Sequence, residues 1–195
     1  MEIKAIKEKE FAQSIKAERR KYYINAGHRG KGTGAVGFID EGSETIALRD
    51  LVSTELMKTG AIVVKDDDKA QLSAVVKSIN STCTKDDVCV DIHFNAASNK
   101  SATGVECLVR QNAPEKEKAL AKDICQRLAG VIQIKNRGVK SDNEGAHSRL
   151  AMCSDIRCTA VLVEVCFVSN EDDSKKYISS RYMVANAIAK SLLSL

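Results

Sequence analysis

The 195 residues fit one domain large enough to bury a sizeable core, and 44% hydrophobic with 29% charged residues is the balance of an ordinary globular protein. A single proline and no tryptophan exclude a proline-rich linker, and no apolar run approaches the ~20 residues that would span a bilayer. The net charge of +4 is concentrated at one end: residues 1–21 hold seven Lys or Arg against four Glu, a local excess of +3.

Residues 1–21 read as a basic helical arm with Ile6, Phe11 and Ile15 on its inward face. Such an arm suits weak contact with an anionic surface. Basic residues elsewhere are not interleaved with aromatics, which argues against nucleic acid as a partner. Charges run through residues 1–23 without an apolar core, so no signal peptide is expected, and neither is stable membrane insertion. Synthesis in the cytoplasm is the matching expectation. Residues 22–195 then form one domain.

From there, strand-like and helix-like segments alternate. Tyr22 to Ala26 reads as a strand running into a glycine loop, "GHRGKGTG". Ser43 to Thr59 has helical spacing through Ile46, Leu48, Val52 and Leu56, closed by Gly60. "AIVVK" (61–65) is a short strand, and 70–81 a helix. In "DVCVDIHF" (87–94) Val88, Val90, Ile92 and Phe94 face one way, Asp91, His93 and Asn95 the other. A strand over 103–111 precedes a helix opened by Pro114. "NRGVK" reads as a loop and 150–153 as a weak strand. "AVLVEVCFV" (160–168) is a strand apolar on both faces, and 174–193 is the last helix. This order predicts a single α/β domain: a mostly parallel, twisted sheet flanked by helices.

Seven cysteines occur, with no C-x-x-C pair. Free thiols are expected, with Cys107, Cys125 and Cys166 in the core. Cys83 with Cys89, and Cys153 with Cys158, are each spaced to close a short loop under oxidation.

Three strand ends deliver unusual groups. One delivers His28, a second His93, and the third Glu164, the only charged side chain in its nine-residue run. An ionised carboxylate there costs several kcal/mol of desolvation unless a cation or a catalytic task offsets it. Two histidines and a carboxylate are a ligand set for catalytic zinc with one position left for water. The third ligand is expected just before the first long helix, where Glu41 and Glu44 are the main options and Asp40 a third. No Gly-x-Ser-x-Gly elbow is present, so covalent catalysis is not favoured.

The stretches "INAGHRGKGTGAVG", "EGSETIALRDLVSTELMKTG", "DIHFNAASNKSATGVECLV", "NRGVK" and "AVLVEVCFVSN" resemble the zinc-dependent N-acetylmuramoyl-L-alanine amidases of the amidase-3 family, found in bacterial cell-wall hydrolases and phage endolysins. The resemblance runs from about residue 22 to the C-terminus and implies a phosphorylase/hydrolase-like α/β fold. It also implies one catalytic Zn2+ held by His28, Glu41 and His93. Glu41, and not Glu44, has the family's spacing to Ile46 and Gly60. Glu164 takes the place of the catalytic Glu.

The implied reaction is hydrolysis of the amide joining N-acetylmuramic acid to L-alanine in peptidoglycan. The implied setting is an endolysin held in the cytoplasm until a holin-type release. Loops 95–103 and 136–149, the second carrying His147 as a surface or substrate-contacting residue, are expected to line an open groove. The chain departs from the family pattern at Arg29, where Gly is usual, at Asp91, where Ser is usual, and at Thr159, where Pro is usual. It also lacks the Arg usual in the helix after the second strand. Two other readings are a carboxypeptidase-like zinc peptidase and an inactive wall-binding module that kept the fold.

Overall fold

The computed structural model describes residues 20–144 and 149–195. The proposed arm, apart from its last two residues, and His147 therefore lie outside the described residues. The arm's last residue, Lys21, already belongs to the sheet.

Six strands form one sheet: β1 (Lys21–Ala26), β2 (Ile62–Lys65), β3 (Val88–Asn95), β4 (Val105–Val109), β5 (Asn136–Ser141) and β6 (Thr159–Phe167). Their order across the sheet is β2-β1-β3-β6-β4-β5. β2, β1, β3 and β6 run parallel, while β4 pairs antiparallel with β6 and carries β5 parallel to itself. The sheet is thus mixed and mostly parallel, as the alternating pattern predicts. Helices α1 (Glu41–Met57), α2 (Leu72–Thr82), α3 (Glu115–Ile132), α4 (Ala151–Ser154) and α5 (Glu171–Leu193) cover it.

Period-two alternation divides the strands between two layers. On one face Tyr22 and Ile24, Val88, Val90, Ile92 and Phe94, Val105 and Cys107, and Val161 and Val163 join the main core. α1, α3 and α5 supply the other half of that core through residues such as Leu48, Val52, Ile124, Leu128, Tyr177 and Ile188. The opposite face begins apolar and ends polar. Tyr23, Cys89 and Ala160 pack with Ile79 of α2 and Met152 of α4. Toward the carboxyl ends of the parallel strands the same face presents Asp91, His93 and Glu164. Only the first part of that face has a helical cover made of hydrocarbon, so the polar end is where a site can open.

Two assignments made from the sequence are corrected. "NRGVK" is not a loop but the edge strand β5. Its Gly138 and charged residues match no strand pattern, but an edge strand needs pairing on one side only, and β4 provides it. Residues around Leu150 to Cys153 form the short helix α4, not a strand. That run is too short for periodicity to decide. Asp142 settles it by accepting from the Leu150 N–H and the Ser154 hydroxyl.

The seven cysteines are free. Cys83 lies beside Cys158, and Cys107 beside Cys125. Burial pushes the Cys158 thiol well above the usual thiol range and the Cys153 thiol up to about 12, so both are inert as nucleophiles at neutral pH. Among the described residues no helix is long and apolar enough to cross a membrane.

Ile92 is fully buried beside the strand end that carries His93. Ile92→Ala should cost roughly 2–5 kcal/mol, read as a lower denaturant midpoint at unchanged slope.

Candidate metal centre

β1 ends at Ala26, and the Gly27 N–H continues its ladder by donating to the Ile92 carbonyl at 2.8 Å. This bond holds the start of the glycine loop against β3. The next residue, His28, adopts φ 70°, a left-handed conformation that costs a non-glycine residue about 1–3 kcal/mol. The turn swings its imidazole back over the strand ends. The rings of His28 and His93 meet edge-to-face with centroids 5.1 Å apart.

Glu41 arrives from the other layer, as the first residue of α1. Its carboxylate reaches past the ends of β1 and β3. His28 Nε2 and His93 Nδ1 each lie 3.2 Å from the same oxygen, Glu41 Oε1. The Phe94 N–H donates to that oxygen at 3.0 Å, and the Ala35 N–H donates to Oε2 at 2.7 Å. Burial works to raise the pKa of this carboxyl, but the two imidazoles and two backbone donors outweigh it and hold it well below the usual carboxylate range. One potential ligand atom from each of His28, Glu41 and His93 lies within 4.8 Å of the others. Two nitrogens and a carboxylate oxygen on that scale suit a small divalent cation, zinc above all.

The neighbouring acids are engaged elsewhere. Asp40 caps α1, accepting from the Ser43 N–H at 2.9 Å, and its other oxygen takes the Gly32 N–H. Glu44 faces α5, where Tyr177 Oη and Arg181 donate to it at 3.1 and 3.0 Å. Of the three acids, Glu41 is the one that meets the histidines.

Glu164 stands on β6 in register with His93 on the next strand. Just beyond this pair β6 carries one extra residue, since Asn95 pairs with Phe167, a bulge of the kind found beside active sites. Glu164 Oε2 is sealed from solvent and has no hydrogen-bond partner. Burial pushes the carboxyl up to about 7, against the favourable pull of His93 and with Glu41, Glu106 and Asp91 adding repulsion. An orphaned buried oxygen and two imidazoles converging on one carboxylate together fit a cation at this centre.

Several contributors escape a reading of the sequence. Glu106 on β4 lies opposite Glu164. It is held by Asn95 at 2.8 Å and by Arg137 and Lys140 at 2.5 Å each. Arg49, buried in α1, bonds Asp66 at 3.0 Å as well as Asp68, and Asp66 accepts from the Ala26 N–H. This network ties the loop after β2 to the base of the His28 turn. Arg49 lies 17 residues from Asp66, and Glu106 lies 31 from Arg137 and 34 from Lys140, beyond any local pattern. A cavity of about 350 Å³ adjoins the centre, lined by His28, His93, Asp91, Asp66, Leu72 and Met152.

The glycines have a second use besides turning. A Cβ at Gly27 would stand 2.3 Å from the His93 ring, and one at Gly34 (φ 79°) 2.5 Å from His28 and 2.6 Å from Glu41. Gly27→Ala should therefore displace His93 while leaving the core intact. Metal affinity should fall by at least about tenfold with little change in melting temperature, checked by chelator competition and circular dichroism.

The geometry agrees with what the chain resembles. Residues 23–194 match the Amidase_3 family, described as N-acetylmuramoyl-L-alanine amidase. The protein YqiI of Bacillus subtilis is 29% identical over 181 residues, covering 90% of this chain and 84% of that one. The catalytic domain of the CD27L endolysin, described as targeting Clostridia difficile, is 26% identical with a TM-score of 0.75, covering 90% of this chain and 98% of the other. The amidase AmiC2 of Nostoc punctiforme shares the fold at 22% identity and a TM-score of 0.77, over 90% and 96% of the two chains. With its match spanning nearly the whole sheet and the His28, Glu41 and His93 cluster in place, the chain belongs to the Amidase_3 family of N-acetylmuramoyl-L-alanine amidases.

Proposed function

We propose that His28, Glu41 and His93 hold one catalytic zinc and that Glu164 moves the protons in hydrolysis of the amide between N-acetylmuramic acid and L-alanine of peptidoglycan. The observation that carries this reading is the convergence of both imidazoles on Glu41 Oε1, each at 3.2 Å, beside an unpartnered carboxylate oxygen of Glu164. Zinc in a set of two histidines and a carboxylate supplies a Lewis acid for the carbonyl and makes water a usable nucleophile near neutral pH.

The remaining work falls to side chains. Positive charge beside Glu164 favours its carboxylate form, so Glu164 begins as the base. It accepts a proton from the attacking water as the carbon–oxygen bond forms. It returns that proton to the alanine nitrogen as the carbon–nitrogen bond breaks, leaving a free amine and a lactyl carboxylic acid that gives its own proton to solvent. A carboxyl pushed by burial up to about 7 is suited to both transfers. Arg29, exposed beside His28, adds positive charge at the entrance, where the family pattern has glycine. The groove beside it takes in the cavity wall formed by Leu72 and Met152.

The phage-endolysin setting is part of the same proposal, supported by the 26% identity to an endolysin catalytic domain. Weak contact of residues 1–21 with an anionic surface is supported by their charge excess of +3 (seven basic against four acidic residues).

Two measurements test the reading. Removing metal with a chelator should abolish release of stem peptides from peptidoglycan, and adding back one equivalent of zinc should restore it. An enzyme indifferent to this cycle refutes the metal assignment. Glu164→Gln should keep its zinc and lose about 10²–10⁴-fold in rate, with mass analysis of the digested wall as the readout. Wild-type turnover by that variant would remove Glu164 from the mechanism.

A further inference from the structure

Asp91 and His93 lie two residues apart on β3, so both project from the same face. Asp91 is 5% exposed. Its neighbours across the sheet on that face are Asn25 of β1 and Leu162 of β6. Neither is a cation, and the Asn25 amide donates instead to Cys89 Sγ and the Val90 carbonyl, at 3.2 Å each. A buried carboxylate in such surroundings requires a donor. His93 Nε2, 3.1 Å from Asp91 Oδ2, is placed to be that donor.

The consequence falls on the other ring nitrogen. With the proton on Nε2, Nδ1 carries a lone pair and faces Glu41 Oε1 at 3.2 Å. Two acceptors at that separation repel unless a proton or a metal ion lies against both, and a bound metal takes the place of that proton. We propose that Asp91 is a positioning residue: it fixes His93 with its proton on Nε2, reserves Nδ1 for the metal and strengthens that nitrogen as a donor. A carboxylate–histidine–metal arrangement of this kind orients the ring and raises its basicity. Where the family pattern has Ser, this chain has a full negative charge, so its centre holds a divalent cation more tightly than a hydroxyl at this position would allow.

This inference rests on the reading that His28, Glu41 and His93 hold zinc, and the test separates the two. Zinc affinity of the metal-free full chain is measured by competition with a chromophoric chelator for wild type, Asp91→Ala, Asp91→Ser and the isosteric Asp91→Asn. Folding of each is verified by circular dichroism. In parallel, the zinc-loaded proteins with ¹⁵N-labelled histidine are examined by NMR for a proton on His93 Nε2. Asp91→Ala and Asp91→Ser should bind zinc about 10–100-fold more weakly. Asp91→Asn, which keeps an acceptor oxygen and loses the charge, should fall between them and wild type. The Nε2 proton should be protected from exchange in wild type and lose that protection in Asp91→Ala. Unchanged affinity in both Asp91→Ala and Asp91→Asn, or an unprotonated Nε2 in wild type, overturns the role of Asp91 while leaving the ligand assignment standing. A wild-type chain that binds no zinc overturns both.

Discussion

One oxygen atom, Glu41 Oε1, organises the centre. It lies against a nitrogen of each of two imidazoles and accepts the backbone N–H of Phe94 near the end of β3. Those partners and Glu41 itself come from three separate stretches of chain, the His28 turn, the end of β3 and the start of α1, so none of these stretches can shift without breaking a contact at this oxygen. The arrangement leaves negative charge concentrated in a buried place, with Asp91, Glu106 and Glu164 close by on the same face. Arg137 and Lys140 compensate Glu106 alone. The rest of the carboxylate-rich cluster calls for positive charge, which protons on the histidines or a metal ion supply.

Much of the surrounding structure keeps that cluster in place. The sheet is hydrocarbon on the face toward α1, α3 and α5, and graded on the other, from Cys89 and Ala160 under α2 to His93 and Glu164 at the open end. The gradient separates the stabilising part of each strand from its working part. Absence of a side chain matters as much as presence. Gly27 and Gly34 leave room that the His93 and His28 rings and the Glu41 carboxylate fill, and the left-handed turn at His28 is sustained by bonds on either side of it. Arg49 adds a buried tie between α1 and the loop after β2, so the layer carrying Glu41 and the layer carrying His28 are fastened twice.

The strands and long helices were legible because each satisfies a local rule: period two with a hydrocarbon face, or a helical stripe, closed for α1 by Gly60. Glu164 stood out as the one charge in an apolar strand, and His93 as a ring on the polar side of an alternating one. β5 and α4 were misread for complementary reasons. β5 is a strand only because β4 offers it an edge, and α4 is a helix because Asp142, eight or more residues away, anchors its first turn. Neither partner leaves a mark in the local sequence.

By itself the sequence determined the alternation of elements, the candidate side chains of the site and, through resemblance, the family. Those properties depend on residue types at short or ordered spacings, which a linear pattern records. Residue chemistry left Asp40, Glu41 and Glu44 open and only the family resemblance favoured Glu41; tertiary structure brings Glu41 to the histidines and sends Asp40 and Glu44 to other partners. It also decided that Asp91 touches a ring nitrogen, that Glu106 opposes Glu164 and that Arg49 is buried. Distance between groups brought together from different strands sets each of these, and a Coulomb or hydrogen-bond energy changes within an ångström while the sequence stays the same.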